Sequence, residues 1–192
     1  MTDSYISELQ KPDPSAIIQL YELELVEGTH YATGNPDSVT TTYCWHSGMT
    51  AAGAGSIVFN SKTYTPMPIE AEGFDQKSGQ SDAIARPVLR VSNLLSTVST
   101  ILIEVNKITP GNDLLNAKLT RIETLAMFLD GESTANPNAT SRNQVFIVDR
   151  KSVENREVVE FELSAIWDLP NFKIPARQVL PRQFPGVGSF HE

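Results

Sequence analysis

The segment Tyr-Cys-Trp-His at residues 43–46 holds the side chains best suited to chemistry. Cys44 and His46 are two residues apart, so both would project from the same face of a strand. With His30 they supply ligand types for a metal ion, or a thiol beside a base. Spacing of this kind is common by chance, and further ligands are missing. We therefore favour Cys44 as an ordinary small core residue and predict no metal site.

Two pairs of carboxylates have the spacing of residues on one strand face. Glu70 and Glu72 form one pair, and Glu160 and Glu162 form the other. Paired carboxylates can act as general acid and base when they face a cleft. A strand with one polar face produces such pairs automatically. The pairs therefore predict solvent-exposed strand faces rather than catalysis.

Two loops have compositions that resemble ligand-binding segments. The run AAGAGS at 51–56 lacks the Gly-Lys-Ser/Thr ending that holds nucleotide phosphates, which favours a flexible loop. The run DGESTANPN at 130–138 carries many side-chain oxygens but lacks the spacing of a calcium loop. The sequence also lacks a Gly-x-Ser-x-Gly elbow and a two-histidine helix motif. We predict that the protein is not an enzyme and has no catalytic, cofactor-binding or metal-binding residue.

The elements that would position these residues include a strand that runs directly into a helix, at RPVLRVSNLLSTVSTILIE (86–104). Residues 87–91 alternate as in a half-buried strand. An apolar stripe with helical spacing then predicts an amphipathic helix over about 94–106, and Ser92 or Asn93 can cap its first turn. The stripe consists of Leu94, Leu95, Val98, Ile101, Leu102 and Val105.

Strand patterns dominate the rest of the chain. The clearest is 157–168, in which Val159, Phe161 and Leu163 alternate with Glu160, Glu162 and Ser164. A short helix is predicted at 4–10, and a hairpin turn at SVENRE. Further strands are predicted at 16–26, 41–46, 56–59 and 144–150, and one more after NSKTY. The Thr and Ile content of 116–130 favours a long bent strand, with a helix as the alternative. The sum is a mainly β protein, an antiparallel sandwich or small barrel with one amphipathic helix.

Composition divides the chain into three parts. Residues 1–14 form an N-terminal arm with a short helix, residues 15–170 a β-rich domain, and residues 171–192 an extended, proline-rich, basic C-terminal arm. Only Glu192 opposes the basic side chains of this arm. The arm is either a solvated tail or a segment that docks on an acidic neighbouring subunit. The second reading makes Lys173, Arg177 and Arg182 candidates for subunit contacts.

Charge and hydropathy exclude several classes of protein. The net charge is −8, with 23 acidic and 15 basic residues, whereas a general nucleic-acid binder needs a basic surface. No apolar run approaches a membrane span, and the first ten residues lack the pattern of a signal peptide. Cys44 is the single cysteine, so an internal disulfide is impossible. We expect no nucleic-acid or membrane binding, and folding in a reducing cytoplasm.

An ordered set of short motifs resembles the phage minor tail protein L family. A Tyr-x-Pro-x-Pro-Ile segment (64–69) precedes Gly73 and Phe74, and Arg-Pro-x-Leu-x-Val-Ser-Asn-Leu (86–94) follows. Weaker similarities extend over 17–25, 126–131 and 161–179. Each motif alone is unspecific, but their order and spacing cover nearly the whole chain.

The resemblance implies a structural protein at the distal tip of a long non-contractile phage tail. Such a protein joins the six-fold tail tube to the three-fold hub and central fibre. A homotrimer in contact with the distal tail ring protein and the central fibre or hub protein is expected. The resemblance also implies synthesis in the cytoplasm of the bacterial host and residence in the virion.

The family's cysteine-bearing C-terminal domain, which resembles an iron–sulfur site, has no counterpart in this sequence. No cysteine follows Cys44. The expectation is that this domain was lost or lies beyond the end of the chain, so no cofactor is assigned. A carbohydrate-binding β-sandwich module associated with a phage tail is the alternative, with exposed aromatic residues in a groove. Its candidates are Tyr31, Tyr43, Trp45, Tyr64 and Trp167, although most aromatic residues of a β-protein belong to its core.

Overall fold

Nine strands and two helices occur in a computed structural model, which describes residues 3–34, 40–47, 55–74, 86–94, 96–168 and 184. The helices are α1 (Asp3–Leu9) and α2 (Thr97–Ile108). The strands are β1 (Ile17–Glu24), β2 (Thr42–His46), β3 (Ile57–Phe59), β4 (Lys62–Pro66), β5 (Ile69–Glu72), β6 (Val88–Ser92), β7 (Lys118–Leu125), β8 (Gln144–Glu154) and β9 (Val158–Ala165). Short 3-10 helices follow β7 and β9, at Ala126–Phe128 and Ile166–Asp168.

All nine strands belong to one sheet, in the order β3-β4-β2-β1-β7-β8-β9-β6-β5. Every neighbouring pair is antiparallel except β2 and β4, which run parallel. The predicted mainly β class with one prominent amphipathic helix is confirmed. The parallel pair was not predicted, because strand direction depends on pairing between segments that are distant in the sequence.

The segment from β4 to β5 links opposite ends of this sheet. Only Met67 and Pro68 separate the two strands, yet β4 pairs with β2 and β5 pairs with β6. The main-chain N–H of Met67 donates to the carbonyl oxygen of His46 at 3.0 Å, and the N–H of Ser92 donates to that of Pro68 at 2.9 Å. The sheet therefore curls back on itself at this segment, but its strand order is that of one open sheet rather than of the predicted sandwich or closed small barrel.

The main hydrophobic core lies between the inner face of the curled sheet and α2. Leu89 and Val91 of β6 contribute to it, as do Phe161 and Leu163 of β9, all at most 4% exposed. The helix buries the predicted stripe from Val98 to Val105 against these residues. The predicted facing of β6 and of Phe161 is thus confirmed. Ser164, expected on the wet face, is buried instead.

A second core lies on the opposite face of β1. Ile18 and Leu20 pack there with the β3–β4 hairpin, whereas Tyr21 and Leu23 point into the main core. The members of the second core are Ile18, Leu20, Ile57, Phe59, Tyr64 and Ile122. Burial on both faces explains why β1 carries large apolar residues on both of its faces.

The joint between β6 and α2 differs in detail from the prediction. The helix begins at Thr97, three residues later than expected, and Leu94 is 73% exposed. Ser96 precedes the helix with a left-handed backbone (φ 56°) and no side-chain capping bond. Of the two predicted caps, Ser92 and Asn93, the second bonds to the first turn, because its Oδ1 accepts the main-chain N–H of Ser99 at 3.2 Å. The first turn is therefore capped from outside the helix.

The other element predictions are confirmed, with shifted ends. The segment 116–130 contains β7 and then a 3-10 turn, while β5 was not predicted as a separate strand. Neither helix is long and apolar enough to span a membrane within the described ranges. The candidate arm at 171–192 lies outside the described residues, apart from Phe184.

Candidate functional site

His30 is held by two main-chain groups and is 2% exposed. Its Nδ1 accepts the N–H of Val26 at 2.8 Å, and its Nε2 lies 2.9 Å from the carbonyl oxygen of Leu115, to which it donates. This pair of bonds requires the neutral ring with its proton on Nε2. Burial lowers the pKa of His30 below its usual value. The residue therefore links the end of β1 to the loop before β7.

Cys44 and His46 lie on β2, as predicted, but their surroundings do not favour reactivity. The Nε2 of His46 lies 3.0 Å from the carbonyl oxygen of Gly55, and the ring is 1% exposed. Burial, together with nearby Glu22, raises the pKa of the Cys44 thiol. A thiol with a raised pKa is a poor nucleophile and metal ligand at neutral pH. Among the described residues, no group of three potential ligands is suitably placed for a metal ion.

A cluster of Glu22, Lys62 and Tyr64, which was not predicted, lies beside Cys44. Glu22, in the middle of β1, is only 6% exposed. Its carboxylate accepts the hydroxyl of Tyr64 at 2.5 Å and the ammonium group of Lys62 at 2.9 Å. Burial and the carboxylate raise the pKa of Tyr64 well above its usual value. The cluster satisfies a buried charge and ties β4 to β1, which is a structural role.

Three of the four carboxylates in the predicted pairs are brought together around one arginine on the outer face of the sheet, and the fourth, Glu162, is bound by Arg150. Glu70, Arg90 and Glu160 are cross-strand partners on β5, β6 and β9. Arg90 contacts Glu160 at 2.7 Å, Glu72 at 3.1 Å and Glu70 at 3.5 Å. We call the outward side chains Glu70, Glu72, Arg90, Glu160 and Glu162 the charged face.

The carboxylates of the charged face are bound to cations rather than poised for proton transfer. Arg150 donates to Glu162 at 2.8 Å and, with help from Ser152, holds the pKa of Glu162 below its usual value. A general acid near neutral pH needs a raised pKa instead. The arrangement therefore does not match a general acid–base pair. Sequence reasoning missed it because the pairing of β6 with β9 is non-local.

The remaining candidates are placed as follows. Trp45 and Tyr64 are buried, at 4% and 1% exposure, and Tyr43 stacks on Trp45 with ring centres 5.9 Å apart. These three aromatic residues belong to the cores rather than to a binding groove. The subunit-contact candidates Lys173, Arg177 and Arg182 lie outside the described residues, as does most of the 51–56 loop.

The comparison with known families agrees with the motif order. The profile of the family described as Phage minor tail protein L matches residues 37–185, more than three quarters of the chain. Proteins of this family are structural parts of the phage tail and are not enzymes. The match includes the whole segment from Tyr64 to Leu94. The chain belongs to the phage minor tail protein L family and is therefore a structural protein of the virion tail.

Proposed function

We propose that the protein is a subunit of the distal tip of a long non-contractile tail. There it joins the six-fold tail tube to the three-fold hub and central fibre. The observation that carries the proposal is the family match over residues 37–185. The proposed neighbours are the distal tail ring protein and the central fibre or hub protein, and the proposed oligomer is a homotrimer.

The positions of the family motifs support an architectural role. Tyr64, Pro68 and Ile69 form the segment that closes the curled sheet, and 86–94 forms β6 and the joint to α2. Gly73 has a φ of +75°, in the left-handed region of the backbone map. This conformation favours glycine in the turn after β5. The residues that resemble the family build the frame of the fold, not a catalytic centre.

The charge distribution supports contact between subunits. Residues 1–170 carry 22 acidic and 12 basic side chains, whereas residues 171–192 carry three basic and one acidic. Opposite charges on different parts of one chain favour association of copies through complementary surfaces. Lys173, Arg177 and Arg182 are the proposed contact residues of the arm.

The proposal is tested by electron microscopy of intact tails at side-chain resolution. We expect density for this subunit at the distal end, in three copies around the tail axis. Tails made without the protein should lack a complete tip. Density along the tube, or another copy number, would contradict the proposed position. The carbohydrate-binding alternative predicts aromatic residues in an exposed groove, but Trp45 and Tyr64 are buried.

A further inference from the structure

The loop of residues 109–117, between α2 and β7, has a strained main chain. Gly111, Asp113, Leu114 and Asn116 all have a positive φ, of 75°, 50°, 67° and 70°. Glycine, aspartate and asparagine adopt this left-handed conformation most readily, whereas leucine rarely does. Leu114 nevertheless occupies it, with a side chain that is only 1% exposed. Contacts with the rest of the molecule therefore hold this segment, which we call the Leu114 loop.

Two of these contacts come from the core and from polar side chains nearby. The side chain of Leu114 lies in the main core, beside an apolar cavity of about 10 Å³. Asn106 of α2 donates to the Oδ1 of Asp113 at 2.8 Å and accepts its N–H at 3.1 Å, and Lys151 of β8 binds the same carboxylate at 3.0 Å. Because the cavity leaves part of Leu114 without packing partners, the polar contacts carry more of the task of holding the loop.

The third contact is His30, which connects the Leu114 loop to the turn after β1. Its ring joins the N–H of Val26 to the oxygen of Leu115 and is 2% exposed. Asn112 also lies against the ring, and its Oδ1 is a buried acceptor with no hydrogen-bond partner among the described residues. A protonated ring has two donors and no acceptor. The Oδ1 of Asn112 can accept from the added donor, but the N–H of Val26 is then left without its partner.

His30 is the group at this loop that titrates between about pH 7 and pH 5. Burial lowers its pKa, and the groups that act in the other direction, the oxygen of Leu115 and the side chain of Asn112, are uncharged. Asp113 stays ionised in this range, because the hydrogen bond from Asn106 holds its pKa below the usual value. The segments that pack here carry six other charged or titratable side chains, none of which shifts the pKa of His30: Glu24, Glu27, Tyr31, Glu104, Lys107 and Lys118.

We propose that the Leu114 loop is a pH-sensitive flap, which opens locally when His30 is protonated while the sheet stays folded. The neutral ring holds the loop against the turn at 26–30, and the charged ring releases it. Because the main chain of the loop is strained, loss of one contact frees a segment that favours other conformations. The open loop presents Leu114 to solvent together with Leu115 and Ile108, which are already 39% and 45% exposed. The switch thus enlarges the apolar surface at this end of the molecule.

The test is hydrogen exchange of the purified full-length protein, followed by NMR between about pH 7 and pH 5. The reporter is the N–H of Asn116, which donates to the oxygen of Val148 at 2.9 Å and loses this bond when the loop opens. A protection factor, the ratio of the intrinsic to the measured rate, removes the direct effect of pH on exchange. Since the folded pKa of His30 is lowered from 6.5, the closed loop is fully favoured above this pH and loses stability below it. The protection factor of Asn116 should therefore fall by up to about tenfold per pH unit.

The matched variants are His30→Gln and His46→Gln, of which the first removes the ring that bonds to the loop. His46 is equally buried, at 1% exposure, but lies on β2 beside the oxygen of Gly55. His30→Gln should abolish the pH dependence at Asn116, and His46→Gln should retain it. A pH dependence that persists in His30→Gln overturns the proposal, since another group would then control the loop.

A second reporter separates local opening from unfolding of the whole sheet. The N–H of Leu163 in β9 donates to the oxygen of Pro87 at 2.8 Å. It should stay at least about tenfold better protected than the N–H of Asn116, because core strands exchange through larger openings than loops do. Equal protection of the two N–H groups at every pH overturns the flap, as does a protection factor of Asn116 that is constant with pH. Both readouts come from the unaltered protein, so they do not depend on how the variants fold or on the position in the tail.

Discussion

His30 lies between two main-chain groups, and its ring can form hydrogen bonds with both of them only when it is neutral. Protonation of Nδ1 would place an N–H against the N–H of Val26, 2.8 Å away. His46 is equally buried beside the oxygen of Gly55. Two histidines that resembled ligands are therefore parts of the core. Their identity was readable in the sequence, but their burial depends on contacts from distant segments.

We predict that the free energy of unfolding falls as the pH drops below about 6.5. Burial lowers the pKa of both His30 and His46 from 6.5, so the unfolded chain binds more protons in this range. Stability is therefore full above this pH and declines below it, by at most about 1.4 kcal/mol per pH unit for each histidine. Urea denaturation at a series of pH values measures the slope.

The matched variant is His30→Gln, which removes one titrating group. Its slope between pH 6.5 and 5 should be about half that of the unaltered protein if both histidines contribute equally. An unchanged slope would show that His30 titrates alike in the folded and unfolded chain. In that case the bond between Nδ1 and Val26 does not hold the ring neutral.

Asn93 determines how the strand-to-helix joint is held. Its Nδ2 donates to the Oγ of Ser99 at 2.8 Å and to the oxygen of Asn155 at 3.0 Å, while its Oδ1 accepts the N–H of Ser99. One buried amide thus connects the start of α2 to the turn of the β8–β9 hairpin. We predict that Asn93→Ala lowers the free energy of unfolding by about 2–3 kcal/mol, since buried partners lose their bonds.

The measurement is urea denaturation, with Ser92→Ala as the neighbouring control. Ser92 is only half-buried, so its variant should differ from the unaltered protein by about 0.5 kcal/mol or less. Equal losses for the two variants would contradict the assignment of Asn93 as the residue that fixes the joint.

Substitution of Phe161 tests which side of β9 is turned toward the core. It is 4% exposed in the main core, whereas Glu160 lies on the charged face beside Arg90. Phe161→Ala should lower the free energy of unfolding by about 3–5 kcal/mol because it leaves a cavity. Glu160→Gln keeps the shape and removes a partly exposed ion pair, worth about 0–1 kcal/mol. If thermal melts show that Glu160→Gln is the more destabilising of the two, the assignment of the buried side of this strand is wrong.

Periodicity predicted the helices and strands whose pattern depends on local sequence alone. The alternation of β9 and the stripe from Val98 to Val105 could be read directly. The start of α2 was misplaced because Leu94 fits the stripe, although the left-handed Ser96 separates it from the helix. β5 was hidden because only two residues separate it from β4, and its partner is 16 or more residues away at β6. The burial of Glu22 could not be predicted from β1 alone, because Tyr64, which covers it, comes from another hairpin.

The distribution of charge along the chain should affect assembly of the tail. We predict that changing Lys173, Arg177 and Arg182 together to Glu prevents assembly of a complete tail tip. The arm would then carry the same charge as the acidic body of its neighbour, so attraction becomes repulsion. The purified subunit should keep its stability within about 0.5 kcal/mol per substitution. Plaque formation and electron microscopy of the tails measure the outcome.

The matched control reverses three exposed cations elsewhere. Lys107, Arg142 and Arg156 are exposed, and their change to Glu alters the net charge by the same amount. This variant should form plaques nearly as well as the unaltered phage. If it fails as badly as the arm variant, net charge alone determines assembly, and the arm has no special part.

The pairing of β1 with β7 has a consequence for synthesis on the ribosome. Ile17 pairs with Leu125, so β1 has no partner on that side until residue 125 has been translated. At about 5–20 residues per second, the two residues emerge roughly 5–20 s apart. During that interval both cores lack the side chains of β7, Leu119 in the main core and Ile122 in the second. The nascent chain is therefore most prone to aggregate before its C-terminal half exists, and truncation before Leu125 should leave it a substrate for chaperones and proteases rather than a smaller folded unit.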